Sequence, residues 1–168
     1  PNIKTLIETG GRILPTLIGI QQASTFTGFC EYHDVKTFEL IEKYPFKPEN
    51  EQCFLLSYRA LCRELFTKKA ALDSVEIFRQ FDKGQQLNMQ QQMQVWVNFH
   101  KIALEKSFKE LSDRKEKYDN ILLSHKYNCF SYYGFFIDRV PEVLCSGGFA
   151  PEYDFQGNLL QDYMNLKK

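Results

Sequence analysis

Between residues 48 and 124 the apolar positions recur every three or four residues, the period of helices that lay one face on a core. A first run opens at Pro48-Glu49-Asn50-Glu51, with acids where the first turn of a helix favours them. Its seam is Leu55, Tyr58, Cys62, Leu65 and Leu72, and Lys83-Gly84 suits its end. A second run from about Asn88 to Ser124 carries Met93, Val97, His100, Leu104, Phe108, Leu111, Lys115, Tyr118 and Leu122. At 1.5 Å per residue this helix would be about 50 Å long. The short connection between the runs predicts an antiparallel hairpin. With the turn near residue 85, His100 is expected opposite position 71, as a core histidine hydrogen-bonded across the hairpin. A shorter helix is expected over 34–43, from Val35, Phe38 and Ile41, with Asp34 as N-cap and Tyr44-Pro45-Phe46-Lys47-Pro48 as its stop.

The pattern changes on both sides of this helical block. Residues 1–33 are punctuated by Gly10, Gly11, Pro15, Gly19 and Gly28 and read as a wrap on the core. After Asn128, the aromatic stretch Cys129–Ile137 predicts a strand, with 142–146 as its partner and loop from Phe149 onward. The expected fold is therefore mainly α (α+β). It is a long antiparallel helical hairpin with a short helix before it and a small β element near the C-terminus. One domain over 1–168 is expected, divided into the wrap 1–33, the helical part 34–127 and a strand-and-loop part 128–168. Two strands alone are marginal in water, so a fragment of a longer protein is expected.

Composition narrows the function classes. Lys and Arg total 21 and so do Asp and Glu, so the formal charge is zero, unlike a globally basic nucleic-acid binder. Five cysteines, an odd number without regular spacing, predict reduced thiols and a cytoplasmic location. No stretch reads as a signal peptide or membrane span, so no membrane partner is expected.

Cys30-Glu31-Tyr32-His33 is the sharpest candidate for chemistry. A Cys and a His three positions apart can place sulfur and nitrogen on one Zn²⁺. A second such pair is absent, so Cys30 and His33 read as half a zinc site whose other half precedes Pro1, as a buried thiol and a helix-capping histidine, or as a catalytic Cys–His pair without a third, orienting group. Arg59 and Arg63, one helical turn apart, are candidates to grip an anion, against the reading of surface ion pairs. The charges from 105 to 119 read as a solvated face, pairing Glu105 with Lys109, Glu110 with Arg114 and Asp113 with Lys117. The aromatics Tyr132, Tyr133, Phe135 and Phe149 could line a small-ligand pocket. No phosphate-binding glycine loop, nucleophile elbow, zincin helix or EF-hand loop is present.

The stretch Ser24-Thr25-Phe26-Thr27-Gly28-Phe29-Cys30-Glu31-Tyr32-His33-Asp34 resembles the second zinc knuckle of HNH-type (ββα-metal) modules in larger bacterial proteins. In those modules a CxxC knuckle and a catalytic histidine come first, and this chain has neither. The resemblance implies zinc as a cofactor, Cys30 and His33 as ligands, and a nuclease that could act against foreign DNA. The residues themselves favour another expectation: an intracellular helical module that works through a protein partner or self-association.

Overall fold

The computed structural model describes residues 28–139, 147–148 and 151–160, together with residues 17 and 19. Among the described residues, three α-helices carry the architecture: α1 (Glu31–Glu42), α2 (Asn50–Phe78) and α3 (Leu87–Ser124). Short 3-10 turns follow α2 at Arg79–Asp82 and α3 at Tyr127–Cys129. The protein is mainly helical, and α3 packs on α2 as the spine.

The hairpin is antiparallel, as three cross-links along it show. Tyr58 meets Asp119, Glu76 meets Lys101, and Arg79 meets Gln94. This register differs from the expected one. His100 lies beside Phe78, at 6.5 Å between ring centroids, rather than opposite position 71. The cause is the connection: the 3-10 turn carries the chain to Lys83, and Gly84 at φ +80° turns it into α3. The fold axis thus falls later than residue 85. His100 is half-buried and stacks on Trp96, with centroids 5.1 Å apart and planes within 7°.

Two buried clusters fill the hairpin. At its open end, hereafter the base, Phe38, Phe54, Leu55, Tyr58 and Cys62 form an aromatic core. Phe29, Leu40 and Ile41 cover it from the α1 side, and Tyr118, Ile121, Tyr127 and Phe130 from the α3 side. At the turn end, hereafter the tip, Val75, Val97 and Leu104 form a smaller core flanked by Ala71, Leu72, Phe78 and Met93. Among the described residues, α2 and α3 alone contribute to it.

Gln52 fixes the α1–α2 connection. Its buried amide accepts a hydrogen bond from the Lys47 N–H and donates to the carbonyls of Leu40 and Pro45, at 3.1 and 3.2 Å. These bonds satisfy a proline-interrupted segment that has no ladder of its own. At the far end of α3, His125 takes the left-handed position (φ 53°) usually held by Gly, and Tyr127 and Phe130 fold back onto Phe54.

The expected strand over 129–137 is a 3-10 turn followed by unpaired backbone among the described residues. Its expected partner, 142–146, lies outside them, as does most of the wrap 1–33. Phe130 joins the core and Tyr132 donates a hydrogen bond to the Pro48 carbonyl, so this stretch is held by side chains. Among the described residues, the β structure is one antiparallel bridge between Tyr153 and Leu159. Asp154 closes that loop by accepting the Gln156 and Asn158 N–H groups at 2.9 and 2.8 Å, with Gly157 at φ +83°. The Asn158 contacts hold the Asp154 carboxyl below its ordinary range.

Candidate functional site

The first candidate sits at the start of α1, which begins three residues earlier than expected. Cys30 is the N-cap and Asp34 lies in the first turn. Acidic Glu31 and Asp34 complement the helix dipole there. The earlier start places Cys30 and His33 on one turn, with Cys30 Sγ 3.0 Å from His33 Nδ1. Both residues are exposed, so Cys30 is not a buried thiol, and the helix begins before His33 with Cys30 as its N-cap and no side-chain cap bond. The His33 ring also meets Tyr32 edge-on at 5.4 Å. Among the described residues, no group of three or more Cys, His, Asp or Glu side chains converges as a metal cluster would.

The two arginines are not brought together as an anion grip. Arg59 turns toward α1, where it pairs with Glu42 at 2.7 Å and Asp34 at 3.7 Å. Its guanidinium lies over the Phe38 ring, 5.1 Å from the centroid. Two carboxylates on one guanidinium oppose the arrival of an anion. Arg63, one turn on, is exposed. Arg59 therefore docks α1 on α2. Along α3 the expected solvated face is present, while an ion pair joins Lys115 to Asp119 at 2.8 Å. The residues of the three expected surface pairs are exposed to solvent, where such pairs gain little.

A polar network crosses the base. The Tyr58 hydroxyl donates to Asp119 at 2.7 Å, and Lys115 donates to both Asp119 oxygens at 2.8 Å. Burial first, and then the bond to Asp119, push the Tyr58 hydroxyl well above its ordinary pKa of 10.0. Burial likewise pushes the Cys62 thiol up. Both groups stay neutral at physiological pH, which suits a register lock between helices and not a nucleophile.

Of the four aromatics expected to line a ligand pocket, Tyr132 instead donates a hydrogen bond to the Pro48 carbonyl. Tyr133 and Phe135 are 93% and 92% exposed, and Phe149 lies outside the described residues.

The structure brings forward a third feature that the core seam hid. On the solvent side of α3, Val95, Trp96, Phe99 and Ile102 lie exposed on consecutive turns, with exposed Ala103 beside them, and Trp96 borders α2, its ring edge-on to Phe78 at 6.5 Å. Gln91 and Gln92 border this face and join Val95, Trp96 and Phe99 in lining a shallow apolar groove. Spacings of three and four from Gln92 through Ala103 spell a second stripe in the sequence, the signal that could have found it.

No protein-family model matches this chain, and no match was found among curated proteins or among solved structures. Among the described residues, no helix is long and apolar enough to cross a membrane.

Proposed function

We propose that this protein is a helical module that works through protein contacts, without a complete catalytic set of its own. The observation that carries this reading is the outward face of α3. Trp96 is 53% exposed and Phe99 61%, on a helix whose α2-facing side already holds the tip core and whose Trp96 ring borders it through Phe78. Contiguous apolar side chains rimmed by glutamines and charges are the surface of a docking site. The face is tested with Phe99→Asp and a hydrophobic dye. The variant should keep its unfolding free energy within about 0.5 kcal/mol, as surface substitutions do, while dye binding falls. A large loss of stability would mean that the protein's own core uses Phe99, and would overturn the reading.

A second reading is favoured by the Cys30–His33 pair: a retained part of an HNH-like, metal-dependent nuclease. Zinc bonds of about 2.3 Å to sulfur and 2.0 Å to nitrogen separate two tetrahedral ligands by about 3.5 Å, so the pair, now in contact at 3.0 Å, would part by about half an ångström to take the metal. Sulfur and imidazole would supply half of such a site, and nucleic acid would be the partner under this reading alone. Elemental analysis beside Cys30→Ala tests it. Stoichiometric zinc that disappears in the variant supports it, and metal-free protein excludes it.

A further inference from the structure

We propose that the outer face of α3 pairs with the same face of a second copy, antiparallel, about a two-fold axis at Phe99. This inference rests on the protein-contact reading and names the partner. Helical geometry sets the argument. At 3.6 residues per turn, Phe99 lies at the centre of the stripe, with Val95 and Ile102 on one flank and Trp96 and Ala103 on the other.

A two-fold axis through Phe99 reverses the helix and keeps the flanks. Trp96 then meets the partner's Ala103, a large side chain against the smallest in the stripe. Val95 meets the partner's Ile102, and Phe99 meets the partner's Phe99. The stripe is thus complementary to itself, as an isologous interface must be.

Charge selects the same arrangement. Toward the C-terminus the stripe continues into Lys106 and Glu110, and toward the N-terminus into Gln92 and Asn88. In a parallel pair Lys106 would face the partner's Lys106, and Glu110 the partner's Glu110. In the antiparallel pair each charge faces an amide: Lys106 meets the partner's Gln92, and Glu110 meets the partner's Asn88. Like charges are avoided and each charged group gains a polar neighbour. One helix face with four large, half-exposed apolar side chains makes a small interface, so weak association is expected, in the range of about 10–100 µM.

The full chain should be followed by sedimentation equilibrium from about 1 to 500 µM, with emission recorded from Trp96, its single tryptophan. Mass should rise toward twice 19.8 kDa while the emission shifts to the blue. Phe99→Asp, with its helical signal unchanged, should remain monomeric. Gln92→Glu places a carboxylate opposite the partner's Lys106 twice per dimer and should tighten association by about threefold or more. In a parallel pair that substitution would set glutamate against glutamate, so weaker or unchanged association overturns the antiparallel arrangement. A wild-type monomer with solvent-exposed Trp96 at all concentrations overturns the second copy and leaves the docking face standing. A monomer with Trp96 already buried overturns both.

Discussion

The two ends of the hairpin are built from the same pair of helices and finished differently. At the base, α1 and the turn after α3 lie over α2, and Phe54 reaches 0% exposure among four aromatic neighbours. At the tip, Val75 and Val97 also reach 0%, but α2 and α3 have no third layer among the described residues. A helix with two apolar faces can bury only one of them in a two-helix arrangement. The base completes its core within the chain. The tip leaves α3's second face outward, and on this account a further chain completes it.

The comparison can be broken most severely at the base. Phe54→Ala removes the ring on which both helices, Tyr127 and Phe130 converge, and should cost about 3–5 kcal/mol in denaturant unfolding. Val97→Ala at the tip removes two methyl groups from a smaller core and should cost about 2 kcal/mol. If the tip substitution were the costlier, the ranking of the two ends would be wrong.

Below these comes the polar tie at the tip. Gln94 donates to the Arg79 carbonyl at 3.1 Å and to the carboxylate of buried Asp82 at 2.7 Å. Gln94→Ala should cost about 1–2 kcal/mol, because Asp82 loses its donor while still buried. The same measurement would show the tip fraying before the base.

The smallest effect at neutral pH is Tyr58→Phe, which sharpens the comparison through pH. The folded state holds the Tyr58 proton above the ordinary pKa of 10.0, whereas the unfolded chain releases it near that value. The unfolded state then binds fewer protons, so stability is present below pH 10 and falls as pH rises beyond it. Wild type should lose stability between about pH 9.5 and 11, and the variant should lose less. Equal slopes would mean that the Tyr58–Asp119 bond does not lock the base.

The hairpin was legible in the sequence because its seam is long and regular. Val97 and Leu104 lie where the seam placed them, and so do Leu55 and Tyr58. The register was not legible, because it depends on whether Arg79–Asp82 continues as a 3-10 turn, and a short polar stretch does not declare that. The strand expected from Cys129 to Ile137 followed local preference, whereas Phe130 and Tyr132 are held by Phe54 and the Pro48 carbonyl, contacts distant in sequence. At the candidate sites, residue spacing located Cys30 beside His33. It could not foresee that Arg59 would be taken by Glu42 and Asp34 of another helix. The outer stripe of α3 was written in the sequence too, but reading one seam as the whole amphipathic pattern concealed it.

Amide hydrogen exchange, resolved by residue, tests the central claim that the tip is unfinished within a single chain. In dilute solution, amides around Val75 and Val97 should exchange about tenfold or more faster than those around Phe54 and Tyr118. Raising the protein concentration should slow the tip and leave the base unchanged. Equal protection at both ends in dilute solution, insensitive to concentration, would contradict the account.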